Sequence, residues 1–286
     1  MNEVTIRVPG TTANLGPGFD CLGVALKIYN WITVRRGPGK RRHAMAARAA
    51  KAFFQVADIA PFAFEWNVTG DVPPSRGLGS SVTVRLGILH GLNELAGRVL
   101  KRDDLFQICA QLEGHPDNAA PAEFGGFTVA QDFDRYIRFE VSPKLHWVLL
   151  IPEFEVLTSA AREVLPKQIP HRDAVESAFN ACTIVAAFAQ RRYDLLASSF
   201  DDYLHQPYRE MLVPILPRVI RAAEKVGALG GYLSGSGSTV ACVTLESPEK
   251  VATAMAKAAG KTPFQMVITS ADNHGVRVVS LKKSAQ

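Results

Sequence analysis

The fold class expected from this sequence is α+β, in two units. Strand-patterned and helix-patterned segments are mixed through the first half, whereas after residue 151 the pattern turns to helices before strands return. With 286 residues, 47% of them hydrophobic, the chain can build either one large core or two modest ones. We place the boundary near residue 151, giving units 1–150 and 151–286.

In chain order, "EVTIRV" alternates as a strand does, "VALKIYNWITVRR" reads as a longer strand, and "FAFEWNVTG" repeats the signal before a Pro-Pro turn. Between the last two, "RRHAMAARAAKAFFQVA" has helical spacing. Helices are predicted over 80–96, stopped by Gly97, and over 102–112. Apolar runs over 124–130 and 145–151 predict strands, and helices follow over 174–189 and 213–226. Gly227, Gly230 and Gly231 lead into "YLSGSGSTVACVTL", a strand, glycine turn and strand. A helix near 251–257 and strands over 265–268 and 276–281 complete the chain.

Composition excludes several classes. The longest apolar strings, such as "WVLLIP", fall far below the roughly 18 residues of a membrane span. "MNEVTIRVPG" has no apolar stretch of the kind a signal peptide carries. Cys21, Cys109, Cys182 and Cys242 are scattered without a CxxC pair, which suits a reducing cytoplasm. The net charge of +5 is concentrated in Arg35, Arg36, Lys40, Arg41, Arg42, Arg48 and Lys51. Such a cluster fits a solvated helix face as well as attraction for phosphate or nucleic acid. It lacks interleaved aromatics for base stacking until Phe53 and Phe54, which argues against an RNA-binding module.

Arg76–Ser81, "RGLGSS", places two glycines and two serines directly before a helix. Gly77 and Gly79 admit a ligand close to the backbone. Successive N–H groups from Gly77 through Leu78, Gly79 and Ser80 to Ser81 can form an anion nest at the positive end of the helix dipole. The serine hydroxyls suit phosphate or magnesium. GxxxxGK[ST] is absent, and by itself GxGSS also fits an ordinary turn and N-cap. Two further small-residue loops accompany it: "VPGTTANLGPGFDCLGVAL" near the N-terminus and "LSGSGSTVAC" from Leu233.

In this order the three segments resemble the signature motifs of the GHMP kinases. A fourth, "EGHPDNAAPAEFGGFTV" from Glu113, resembles the branch of that family that phosphorylates L-homoserine. The resemblance runs over nearly the whole chain. It implies a ribosomal-S5-like N-terminal domain and an α+β C-terminal domain, with the active site in the cleft between them. It implies a cytoplasmic, dimeric enzyme of threonine biosynthesis that uses ATP and Mg2+. Arg76, Gly77, Leu78, Gly79, Ser80 and Ser81, with Gly235, Ser236 and Gly237, would hold ATP, and Ser81 and Glu113 the metal. Asn14, Asp20, His115, Thr158, Arg162 and Arg209 would bind substrate. Asn118 would orient its hydroxyl, with Asp117 as the alternative base. The chemistry is coherent, since homoserine is a zwitterion whose carboxylate suits arginine and whose ammonium suits Asp20.

Alternatives are a GHMP-type kinase for another small hydroxylated substrate and a catalytically weak, ligand-binding relative. Evidence for the latter is Gln111, standing at the earlier acidic position of an ExEG pattern, and a short segment from Arg35 to Phe62 where the family builds its adenine pocket. If that earlier acidic position supplies the magnesium ligand, Gln111 would weaken metal binding, because a glutamine oxygen can still ligate the ion but without the charge.

Overall fold

The computed structural model describes residues 2–38 and 43–282. Among the described residues, ten strands form two antiparallel sheets. The first contains β1 (Glu3–Ala13), β2 (Leu22–Arg36), β3 (Phe64–Gly70), β4 (Phe127–Gln131), β5 (Arg135–Phe139) and β10 (Arg277–Lys282), in the order β10-β1-β2-β4-β5 with β3 also paired to β2. The second has the order β7 (Gly230–Leu233), β8 (Val240–Thr244), β6 (His146–Pro152), β9 (Phe264–Ser270). The division near residue 151 therefore falls within β6, and β10 lies beside β1.

β1 alternates as its sequence predicts. Val4, Ile6 and Val8 are buried against α1 (Ala44–Ala57), α2 (Ser80–Leu95) and α3 (Arg102–Glu113), together with Ile32, Val34, Phe53, Leu86, Leu89 and Phe106. Gly87 and Gly91, one turn apart on α2, let that helix lie directly on β2, because a Cβ at either would overlap Ile32 or Val34. β6 is apolar on both faces. Trp147, Leu149 and Ile151 pack with Phe127, Phe188 and Tyr232, while Val148 and Leu150 pack with Val219, Val251 and Met255. That two-sided burial explains its unbroken hydrophobic run.

Several boundaries differ from expectation. β1 runs on through Pro9 and Gly10, where its register against β2 shifts. The strand expected over 124–130 begins at Phe127, because α4 (Ala119–Phe124) occupies the preceding turn. The helix expected over 213–226 is α8 (Leu216–Glu224), entered through Pro217. Helices α6 (His171–Gln190) and α9 (Pro248–Ala259) extend past their predicted ends, whereas the short α5 (Thr158–Glu163) and α7 (Gln206–Arg209) had no periodic signal.

Of the basic cluster, Lys40, Arg41 and Arg42 lie outside the described residues. Arg35 pairs with Glu65, and Arg36 stacks on Phe62, 3.9 Å from the ring centroid. Arg48 and Lys51 sit on the exposed face of α1. No helix among the described residues is long and apolar enough to cross a membrane.

Candidate active site

A cleft of about 310 Å³ opens where the N-terminus of α2 meets the loops between β1 and β2, after α3, and between β7 and β8. Of the sequence-predicted residues, it is lined by Asn14, Asp20, Arg76, Gly77, Leu78, Gly79, Ser80, Ser81, Glu113, His115, Asp117, Asn118, Thr158, Arg162, Arg209, Gly235 and Ser236. Gly237 is set back from the wall and closes the turn by donating its N–H to Ser234 O at 2.8 Å.

The glycine loop is shaped by its backbone. Gly77 and Gly79 have φ of +71° and +69°, a region that L-residues rarely adopt. A Cβ on Gly79 would collide with Thr11 Oγ1, and one on Gly77 with Ser234 O. The Thr11 N–H donates to Leu78 O at 3.1 Å, anchoring the loop to β1. From the other sheet, Ser234 Oγ donates to Gly77 O at 2.6 Å. Arg76 ties the loop down further, its Nε donating to Pro152 O at 2.8 Å and its guanidinium pairing with Glu155. The loop is thus held in an open, side-chain-free curve at the start of a 16-residue helix, the geometry of an anion site.

Beside it, Ser81 Oγ donates to Glu113 Oε2 at 3.0 Å, and Arg85 ion-pairs Glu113 Oε1. A hydroxyl and a carboxylate are the hard oxygen donors that magnesium takes, so these residues fit that ion. Gln111 is exposed and does not line the cleft, so the condition on which it would weaken metal binding is not met there.

Opposite lie the charges. Arg162 holds Asp20 through contacts of 2.8 and 3.1 Å, and both side chains remain partly exposed. Arg209 is buried, with Nε donating to Ala161 O at 2.9 Å and Nη1 reaching Gly235 O and His205 Nδ1 at 3.1 and 3.2 Å. Burial, followed by repulsion from Arg162, lowers its pKa to about 10, so it is still a cation at neutral pH. Phe19 lies under both guanidinium groups, 5.2 Å from Arg209 and 5.5 Å from Arg162, and stacks on His205. Asn14 is committed within the protein, donating to Gly235 O and accepting from the Asp20 N–H, both at 3.1 Å. It places Asp20 and Gly235 relative to one another.

Between the two groups, Asn118 Oδ1 accepts the Thr11 hydroxyl at 2.6 Å. Asp117 Oδ1 accepts from His115 Nδ1, Asn118 N and Asn118 Nδ2 at 2.7, 2.9 and 3.2 Å. Burial works to lower the His115 pKa, but the hydrogen bond and charge of Asp117, with Asp20 nearby, raise it above the ordinary value. Asp20, His115 and Asp117 bring ligand-type atoms within 4.8 Å of one another. Arg162 takes both Asp20 oxygens, and Asp117 Oδ1 accepts from three donors, so these oxygens are already engaged within the protein.

Sequence reasoning missed Arg85, Phe19 and His205. Arg85 follows Ser81 by one helical turn and His205 precedes Arg209 by one, spacings that would have brought both to notice.

Comparison with known proteins follows this layout. Residues 44–126 match the GHMP kinases N terminal domain, and residues 184–262 match the GHMP kinases C terminal model. A homoserine kinase of Caldicellulosiruptor saccharolyticus is 33% identical, covering 99% of this chain and 98% of its own. One from Clostridium botulinum is 38% identical over 84% of this chain and 86% of its own. The crystal structure of homoserine kinase from Cytophaga hutchinsonii superposes with a TM-score of 0.89 at 26% identity, covering 98% of both chains.

Proposed function

The chain belongs to the GHMP kinases, on their homoserine kinase branch, and from that premise we propose how its cleft moves the γ-phosphoryl group of ATP to the side-chain hydroxyl of L-homoserine, giving O-phospho-L-homoserine. The observation that carries this reading is that one cavity joins a glycine-lined helix N-terminus to a carboxylate and two arginines. A nucleotide polyphosphate suits the first and a zwitterionic amino acid the second.

Phosphoryl transfer needs positioning and charge neutralisation more than covalent chemistry. The Gly77–Ser81 amides and the dipole of α2 hold the phosphates, with the Ser234–Gly237 loop clasping from the other sheet. Ser81 and Glu113 would hold Mg2+, which supplies neutralising charge to the phosphate oxygens when bound. Arg209 and Arg162 receive the homoserine carboxylate, and Asp20 its ammonium group, so substrate replaces the Asp20–Arg162 pair with two new pairs. Asn118, fixed by Thr11 and Asp117, orients the hydroxyl, with His115 alongside. Asp117 Oδ1 is already engaged by three donors, which suits it to holding His115 and Asn118 in place. The division of labour we propose gives residues 1–150 most of the nucleotide contacts, while 151–286 supply Thr158, Arg162, Arg209 and the second glycine loop. Four free cysteines suit a reducing compartment, and we assign the enzyme to the cytoplasm.

The deciding test is ADP release with ATP and magnesium, offering L-homoserine, L-serine, L-threonine and mevalonate in parallel. Turnover with homoserine alone is expected. Turnover with a different acceptor would reassign the substrate, and none with any acceptor in folded protein would overturn the catalytic reading.

A further inference from the structure

Arg85 is a cation inside the phosphate end of the cleft that the reading above does not use. It shares a face of α2 with Ser81, one turn away, and only 13% of its side chain is exposed. Its guanidinium ion-pairs with Glu113 Oε1, an oxygen that accepts no hydrogen bond, while Ser81 donates to Glu113 Oε2. Its Nε is buried and has no hydrogen-bond partner. Taking a guanidinium this far out of water with an idle donor is costly, and an apolar pairing at the same place is commonly as stable. The position also matters: the cation sits on a carboxylate beside the glycine loop that has the chemistry to take a divalent metal.

We propose that Arg85 is a built-in counter-cation for the nucleotide phosphates. In the empty cleft it neutralises Glu113. When a polyphosphate enters, the guanidinium passes to the phosphate oxygens and Glu113 is freed for the metal. Part of the charge that magnesium brings is thereby supplied by the protein, and nucleotide binding depends only weakly on the ion. This rests on the glycine loop being the phosphate site.

Isothermal titration calorimetry separates the two ideas. The quantity read is the ratio of the ATP Kd in EDTA to the ATP Kd in magnesium, with no turnover involved. In the unsubstituted protein the ratio is expected below about twentyfold, and a larger ratio overturns the proposal. Removing the guanidinium is expected to raise the ratio about fivefold or more, because a charge-assisted hydrogen bond is lost mainly from the metal-free complex. Two variants are used: Arg85→Gln, which retains a hydrogen bond for Glu113, and Arg85→Leu, which keeps the apolar stem. Circular dichroism checks that each is folded, and any smaller rise in a folded variant leaves Arg85 a structural strut and overturns the proposal. If the unsubstituted protein binds ATP in neither condition, the phosphate-loop reading falls and the Arg85 proposal falls with it. ATP binding with an unchanged ratio removes the Arg85 proposal alone.

Discussion

Arg209 is held so firmly that its replacement should report on one ligand only. With Nε and Nη1 bound to Ala161 O, Gly235 O and His205, the guanidinium enters the cleft already oriented. Arg209→Ala is expected to raise the homoserine KM about 10- to 100-fold, the worth of a charge-assisted pair, with the ATP KM within about threefold. Steady-state kinetics with each substrate varied in turn decides this, and the reverse pattern would place Arg209 at the nucleotide. His205 is what orients it, donating from Nε2 to Gly16 O at 2.8 Å and accepting at Nδ1, an arrangement open only to the neutral ring. Burial, with Arg209 adding to it, pushes the His205 pKa well below 6.5, against the pull of Asp202. The unfolded chain therefore takes up a proton that the folded chain refuses. That stability is fully present above pH 6.5 and is lost as pH falls towards the folded value. Thermal unfolding followed between pH 7 and pH 4 should show a falling midpoint, and His205→Gln should flatten the fall. An equal slope in both proteins would mean that His205 is not kept neutral.

At the scale of elements, the start of α2 is a tightly constrained turn. Gly79→Val places a β-branched side chain at φ +69° and drives it into Thr11, so the loop must reshape. ATP affinity is expected to fall at least about 100-fold, reflecting loss of several amide–phosphate hydrogen bonds at once. Unchanged affinity by calorimetry would move the phosphate site elsewhere. This helix and its loop were also the most legible part of the chain. The prediction over 80–96 meets Ser80–Leu95 and that over 102–112 meets Arg102–Glu113, because each has long periodicity and a glycine stop. What escaped has physical reasons. One-turn helices such as α7 show no period, and α7 is held by tertiary bonds, Gln206 Oε1 accepting the Leu233 N–H at 2.6 Å. Phe19 looks like one more apolar residue in its motif until Arg162, Arg209 and His205 gather around it. Arg85 resembles any helix-surface arginine apart from its one-turn spacing from Ser81, and its pairing with Glu113 at the end of α3 is tertiary.

Over the whole molecule, the two sheets are joined by more than chain connectivity. Thr12 and Trp147 both donate to Tyr232 Oη, at 3.1 and 3.0 Å, and Ser234 Oγ reaches Thr12 and Gly77. Ligands that span this junction should stabilise the molecule as one body. At 100 times Kd each contributes about 2.7 kcal/mol, so calorimetric scans should show a single transition moving upward with ATP and homoserine. Two transitions, only one of them moving, would mean that the halves melt independently. The placement of β10 beside β1 has a consequence for biosynthesis. β1 leaves the ribosome well before β10, one of its two pairing partners, which lies more than 260 residues further along the chain. At about 5–20 residues per second, that partner emerges roughly 10–50 s later. Throughout this interval β1 carries an open flank of backbone donors and acceptors, a template for pairing with another nascent chain. Soluble yield in a cell thus depends on how quickly translation reaches β10, and ribosome stalling between β1 and β10 would prolong the exposure.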